Sequence, residues 1–314
     1  MRPATALVTG GAGFLGSHLV DALLAAGWSV RVLDDFSTGR EQNLEPCRDR
    51  IEVLRGDLRD AEAVARAVDG VDRVFHLAAL ASVPASVADP LRSHAVNLGG
   101  TLEVLERSRR AGVRRVVYAS SSSVYGDAPG IPKTESMPAA PASPYALHKY
   151  AGELSCGLYS RLYGLETLAL RFFNVYGPRQ DPAGAYAAVV PRFARACAAG
   201  QRPRIDGDGH QTRDFVFVGD AVRALLRAAE CPGAAGAALN VASGRGTSIL
   251  ELWKAMREVA GGGLEPLHAP PRPGDLRESV ADPGRAAQVL GFEASVALDE
   301  GLRRTLEGPG GSPS

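Results

Sequence analysis

Short apolar runs alternate with longer stretches of helical period through the first half of the chain. Residues 5–10 (TALVTG), 29–35 (SVRVLDD), 51–57 (IEVLRGD), 72–79 (DRVFHLAA) and 114–121 (RRVVYASS) are compact and rich in Val, Leu and Ile, which predicts strands. Residues 14–26, 61–68, 90–111 and 144–163 carry apolar positions at helical spacing. A sixth strand opens within 166–177 (ETLALRFFNVYG). Strands covered on both faces read as continuous apolar runs, and strands alternating with helices predict a doubly wound parallel sheet of the α/β class.

Beyond Gly177 the pattern loosens. Residues 189–199, 218–230 and 249–260 read as helices, and 213–218 and 239–243 as extended segments. Gly and Pro crowd 261–274. The expectation is a sheet domain over 1–177 with a soft boundary open to later strands, a smaller C-terminal α/β lobe over 178–306, and a disordered Gly/Pro/Ser-rich tail over 307–314.

Composition narrows the class of partner. The chain has 314 residues, 45% of them apolar, enough for a sizeable core. Lys plus Arg and Asp plus Glu number 35 each, so no global field draws it to nucleic acid or a membrane surface. Cys47, Cys156, Cys197 and Cys231 show no close-paired spacing; they read as reduced thiols of a cytoplasmic protein, with no metal site. The start, MRPATALVTGG, is too short in apolar residues for a signal peptide, and no run approaches the roughly 18 residues of a membrane span.

Two motifs carry chemistry. In VTGGAGFLGSHL, Gly10, Gly13 and Gly16 follow a strand and open a helix. The first allows a tight turn, the second a close approach to pyrophosphate, and the third packing of helix on strand, the fingerprint of a Rossmann dinucleotide fold. The helix N-terminus adds N–H donors and a positive dipole end. Asp34 ends the second strand, where a carboxylate accepts from an adenosine ribose and repels a 2′-phosphate; with no Arg directly after it, NAD is favoured over NADP. Asp57 and Leu58 end the third strand, suited to the adenine amino group and ring, or else Asp57 is a helix N-cap.

The second motif is SPYALHKYAGE. Tyr145 and Lys149 stand four apart on one helix face, and an ammonium beside a phenol favours the phenolate. That makes an acid or base usable near neutral pH. His148 falls on another face, and His76 reads as a structural strand-end residue. The run Ser120–Ser123 lacks a nucleophile elbow and a His–Asp partner at recognisable spacing, which argues against a serine hydrolase.

With these residues in place, the chain resembles an extended short-chain dehydrogenase/reductase, and within it a nucleotide-sugar epimerase. The likeness runs from residue 4 to about 305 through TGGAGFLG, GDL, HLAA, NLGGT, ASSSSVYG, SPYALHK, RFFNVYGPRQDP, GDGHQTRDFVFV and RPGDLRESVAD. The most similar subgroup is the UDP-glucose and UDP-N-acetylglucosamine 4-epimerases. The resemblance implies bound NAD that is not consumed, a UDP-sugar substrate and a homodimer formed through a four-helix contact. It implies catalysis by Ser121, Tyr145 and Lys149, with Ser122 the alternative if the register of the serine run slips by one, and Ser120 serving the backbone turn. It implies cofactor contacts from Phe14, Leu15, Leu77, Ala78, Ala79 and Asn97. Substrate contacts would come from Ser121, Ser122, Asn174, Arg213, Arg272, Asp275 and Ser279, the two arginines gripping the diphosphate.

The same resemblance separates neighbouring activities. Related 4,6-dehydratases carry an Asp-Glu pair, and decarboxylases a glutamate, where this chain has Ser122 and Ser123, and serine is a poor acid or base near pH 7. Uronate epimerases carry arginine where Asp181 stands, so a neutral hexose is expected, with Arg179 a possible objection. Glucose-restricted members carry tyrosine where Ser279 stands, so an N-acetyl group is expected to fit.

Overall fold

The apolar runs assemble as one seven-stranded parallel sheet in a computed structural model that describes residues 4–181, 188–271 and 276–308. In chain order the first half gives β1 (Thr5–Thr9), α1 (Phe14–Ala25), β2 (Ser29–Asp34), β3 (Ile51–Arg55), α2 (Ala61–Val68) and β4 (Arg73–His76). There follow α3 (Val83–Ala88), α4 (Pro90–His94), α5 (Gly100–Arg110), β5 (Arg115–Ser121), α6 (Pro144–Tyr163) and β6 (Glu166–Phe172). The second half adds β7 (Asn174–Tyr176), α7 (Val189–Ala198), β8 (Arg204–Asp206), β9 (Thr212–Phe217), α8 (Val218–Glu230) and β10 (Ala237–Val241). The last elements are β11 (Gly246–Ser248), α9 (Ile249–Val259), β12 (Leu267–Ala269), β13 (Glu278–Ser279), α10 (Gly284–Leu290) and α11 (Leu298–Glu307).

The sheet order is β10-β6-β5-β4-β1-β2-β3, every pair parallel. Strand order reverses between β1 and β4, which opens a crevice at their carboxyl ends. On one face α1 and α8 pack over Val8, Val32, Phe75, Val117 and Leu170. On the other, α2, α5 and α6 cover Leu7, Leu33, Val74, Val116 and Tyr118. At the opposite end of the sheet Arg73 and Arg115 donate to the Ala229 and Ala228 carbonyls closing α8, where a cation meets the negative end of the helix.

The chain leaves this sheet at Phe173, and β7 joins a second sheet centred on β9, which also pairs β11 and β13; β8 and β12 form a separate parallel pair. Tyr176, Phe193, Phe215, Phe217, Trp253, Met256 and Leu302 make the core of this lobe. The segment 166–177 is thus two strands in two sheets. Residues 90–111 are also divided: α4 and α5 are joined by a π turn over Ala95–Gly99. There the Asn97 side chain leaves the helix to bond Leu80, and glycine at 100 admits Leu58, whose Cβ would lie 2.7 Å from an added Cβ. Helices α3, α10 and α11 have no counterpart in the periodicity reading; α3 is capped by Ser82, which accepts from the Ala85 N–H. Among the described residues no helix is long and apolar enough to cross a membrane, and no cluster of three or more metal-ligating side chains occurs.

Candidate active site

The crevice at the β1/β4 switch holds a cavity of about 460 Å³. Gly10, Gly13, Phe14, Leu15, Gly16, Asp34, Asp57, Leu58, Leu77, Ala78 and Ala79 line it, and at its inner end so do Ser121, Tyr145 and Lys149. Gly10 has φ +71°, and a Cβ there would stand 2.8 Å from the Ala78 backbone. A Cβ on Gly16 would stand 2.1 Å from the Gly10 carbonyl oxygen. Helix α1 starts with Gly13 as N-cap and no side chain capping it, so its first-turn N–H groups are available to an anion. This cradle fits a dinucleotide pyrophosphate: the closest approaches are made where a side chain is impossible.

Asp34 is buried. Its Oδ2 accepts the Ala12 N–H at 2.9 Å and its Oδ1 the Phe36 N–H at 2.8 Å. Burial pushes its carboxyl above the usual range, and these two bonds oppose that. The side chain therefore braces the glycine loop as well as bordering the cleft. Asp57 is held by Arg59, chiefly through the guanidinium, which lowers its carboxyl. The α2 N-cap is Asp60, whose Oδ1 accepts from Glu62 and Ala63, so the N-cap reading of Asp57 is set aside. Asn97 does not line the cleft. Its Oδ1 accepts the Leu80 N–H at 2.7 Å and its Nδ2 donates to the Leu80 carbonyl and to Ser93, which fixes the loop that does line it.

At the inner end, α6 starts at Pro144 with Ser143 as N-cap, its Oγ accepting the Ala146 N–H. The helix lies along β5, so Tyr145 and Lys149 meet the end of that strand. The Tyr145 phenol faces Ser121, whose hydroxyl favours the phenolate. Lys149 donates from Nζ to the Ala119 carbonyl at 2.8 Å, and its Nζ lies 6.0 Å from the Tyr145 ring centroid. Burial pushes the ammonium down to about 8. Burial also raises the Tyr145 phenol, while Ser121 acts the other way. The expected lowering of Tyr145 by Lys149 is thus not the governing effect here: desolvation of the shielded phenol is.

The serine run divides its work. Ser121 faces Tyr145 and also accepts the Ser123 N–H through Oγ, capping a short 3₁₀ turn over Ser122–Tyr125. The backbone turn expected of Ser120 therefore belongs to Ser121. Ser120 points instead to Glu153 of α6, which Arg171 grips at 2.7 Å. Ser122 is half-buried and outside the cleft lining. His76 bridges Thr9 and Thr101 at 2.8 and 2.9 Å, and His148 bonds Ser93 at 3.0 Å; neither lines the cleft.

A second cavity of about 240 Å³ adjoins the first through Val175, which lines both. Asn174 and Arg213 line it, with Arg192, Arg204, Asp206 and Gln211; the motif reading singled out none of these four, although Gln211 stands within GDGHQTRDFVFV. Ser279 is buried and paired in register with Arg213. Beneath them the buried Asp214 accepts from Ser243 N–H and hydroxyl, Gly244 N–H and Ala281 N–H, tying three segments together. Arg272 and Asp275 lie outside the described residues. Asp181 pairs with Arg40 at 2.7 Å and Arg179 with Asp21 at 2.8 Å. Both charges are balanced within the protein, which weakens the repulsion argument drawn from Asp181 and equally the objection drawn from Arg179.

The model of the NAD dependent epimerase/dehydratase family matches residues 6–242. A UDP-glucose 4-epimerase from Mycolicibacterium smegmatis is 48% identical over 305 residues, 96% of this chain and 97% of the relative. Among solved structures, the UDP-N-acetylglucosamine 4-epimerase from Methanobrevibacter ruminantium M1, in complex with UDP-N-acetylmuramic acid, superposes with a TM-score of 0.93 at 38% identity over 98% of each chain. The UDP-glucose 4-epimerase of Thermus thermophilus, in complex with NAD, gives 0.88 at 41% identity over 96% of this chain and 98% of that one. More distant relatives include a UDP-glucuronic acid decarboxylase and a dTDP-glucose 4,6-dehydratase, at 32% and 35% identity.

Proposed function

Because the chain belongs to the NAD-dependent epimerase/dehydratase family, we propose that it is a UDP-hexose 4-epimerase that keeps its NAD. The reading rests on one observation: Tyr145, with Ser121 and with Lys149 one helical turn along, borders the same cleft as the glycine loop. Gly10, Gly13 and the α1 N-terminus hold the pyrophosphate, Asp34 the adenosine ribose, and Asp57 and Leu58 the adenine. NAD, when bound, supplies the acceptor and then the donor of the hydride at C4 of the sugar. Tyr145 takes the proton of the sugar 4-hydroxyl and returns it after the 4-keto sugar has turned over; Ser121 bonds the same oxygen. Lys149 holds the nicotinamide ribose, and Ser121 favours the phenolate.

Epimerisation is preferred to dehydration because Ser122 and Ser123 bring no carboxylate to the strand end, and Glu153 and Glu135 are committed elsewhere. Glu153 is gripped by Arg171, and Glu135 accepts the Asn240 N–H at 2.8 Å. Neither is left for the acid–base work of eliminating water. In the second cavity Arg213 and Asn174 hold the UDP moiety. The small Ser279 beside Arg213 supports acceptance of UDP-N-acetylhexosamines as well as plain UDP-hexoses. We also infer a homodimer. Leu147, Leu154, Leu158 and Leu162 form an exposed apolar stripe along α6, flanked by Leu102 of α5. The reaction is tested by incubating the protein with a panel of UDP-hexoses and following the anomeric protons by NMR. Exchange between UDP-GlcNAc and UDP-GalNAc without net NADH is the expected result; no exchange within any 4-epimer pair sinks the assignment.

A further inference from the structure

Helix α6 engages three consecutive residues of the β5 end. Lys149 donates to the Ala119 carbonyl, Glu153 accepts from the Ser120 hydroxyl, and Tyr145 meets the Ser121 hydroxyl. Tyr145, Lys149 and Glu153 follow at intervals of four, so one helix face supplies all three. Glu153 and Arg171 are both buried, their side chains 5% and 7% exposed. Arg171 holds both carboxylate oxygens through Nε and Nη2, at 2.7–3.1 Å, and donates from Nη1 to Tyr125 at 2.9 Å. Tyr125 in turn donates to Asn240 at 2.6 Å. Ser120, Arg171 and Asn240 stand in one rank across β5, β6 and β10.

A buried ion pair of this kind is weak as a source of stability, because desolvation offsets the attraction. Its location suggests another use. We propose that Glu153 is a positioning residue for the epimerase reaction: it fixes Ser120, and so the strand end that presents Ser121 and the Ala119 carbonyl, and it sets a carboxylate one helical turn from Lys149 on the same face. This rests on the epimerase reading only for its effect on turnover. The charged and titratable groups around Lys149 are Tyr145, Glu153 and Cys156 of α6, Tyr118 of β5, His76 of β4 and Arg171 of β6; α4 brings Arg92 to the cleft and His94 against His148 on the other face of α6, and α5 meets the far end of α6 with Glu106 and Arg109 near Tyr159. His76 is held neutral by burial, and Glu153 is the carboxylate of the set facing Lys149.

The chain contains three lysines, Lys133, Lys149 and Lys254, so carbon-13 lysine labelling gives a readable NMR titration of the Lys149 Cε, assigned with a Lys149→Met variant. In Glu153→Gln the Lys149 midpoint is expected to fall by about half a pH unit or more. In the same variant kcat drops about tenfold with KM unchanged, and its alkaline limb moves to lower pH. Glu153→Asp restores the midpoint. Ser120→Ala leaves the midpoint in place and lowers kcat severalfold. A Glu153→Gln protein with the wild-type midpoint overturns the proposal, as does a loss of activity that tracks thermal stability alone. Should that variant not fold, Ser120→Ala with full kcat overturns it. A shifted midpoint in a protein inactive on every UDP-hexose leaves the device standing and fails the epimerase reading instead.

Discussion

Tyr145 is the residue on which the proposed chemistry turns, and removing its hydroxyl isolates that role. Tyr145→Phe keeps the ring and its packing, so kcat should fall by about 10²–10⁴-fold while UDP affinity, measured calorimetrically, stays at the wild-type value. Turnover at the wild-type rate would remove Tyr145 from the mechanism. His76 makes a prediction about stability. Burial pushes it from 6.5 to about 3, so the folded protein holds it neutral while the unfolded chain takes up a proton near 6.5. The unfolded state then binds more protons between these values. The stability from this group is complete above pH 6.5 and is lost as pH falls toward 3, at up to about 1.4 kcal/mol per pH unit. Urea midpoints at pH 7 and pH 5 should differ less in His76→Gln than in wild type. At this scale the sequence pointed to Tyr145, Lys149 and the serine run, which the fold brings to one cleft, and left the assignments within the run open. Four identical hydroxyls carry no register, and only the meeting of β5 with α6 separates Ser121 at the phenol from Ser120 at the buried carboxylate.

The glycine loop and α1 form the element with the least freedom. Gly16→Ala would drive a Cβ to 2.1 Å from the Gly10 oxygen, backbone against backbone, so the helix must move off the strand. The expected outcome is protein that purifies without NAD, read by acid release and absorbance, and melts at lower temperature. Gly157→Ala in α6 is the contrasting case: its Cβ would meet its nearest neighbour, the Gly236 oxygen, at 3.6 Å, ordinary contact. That change should be neutral or stabilise by about 0.5–1 kcal/mol through helix propensity. Equal losses in both would show that the loop contact is not special. The strands of the main sheet and α1, α2 and α6 were legible because each buries a continuous face, which imposes a period. The π turn was hidden within 90–111 because its cause is tertiary: Asn97 leaves the helix to serve Leu80, and no local pattern encodes that partner. Likewise the break at Phe173 falls inside a single apolar run, and the two halves are told apart only by the sheets they join.

Across the whole molecule, the α6 leucine stripe lies on a face separate from Tyr145 and Lys149, so two copies could pair there without obstructing either cavity. Leu154→Glu with Leu158→Glu should turn a dimer into a monomer in size-exclusion chromatography with light scattering; a monomeric wild type refutes the homodimer. The boundary we propose near residue 177 divides cofactor from substrate, and it does not divide folding units. Strand β10 pairs with β6 although the whole of β7 to α8 lies between them in sequence. On a ribosome adding about 5–20 residues per second, β6 therefore emerges with a bare edge that stays open for several seconds until β10 is made. An unpaired parallel edge of this kind is a template for a neighbouring nascent chain. Lengthening or slowing the translation of the intervening segment should then cost soluble yield in the cell while leaving the melting temperature of the finished protein untouched.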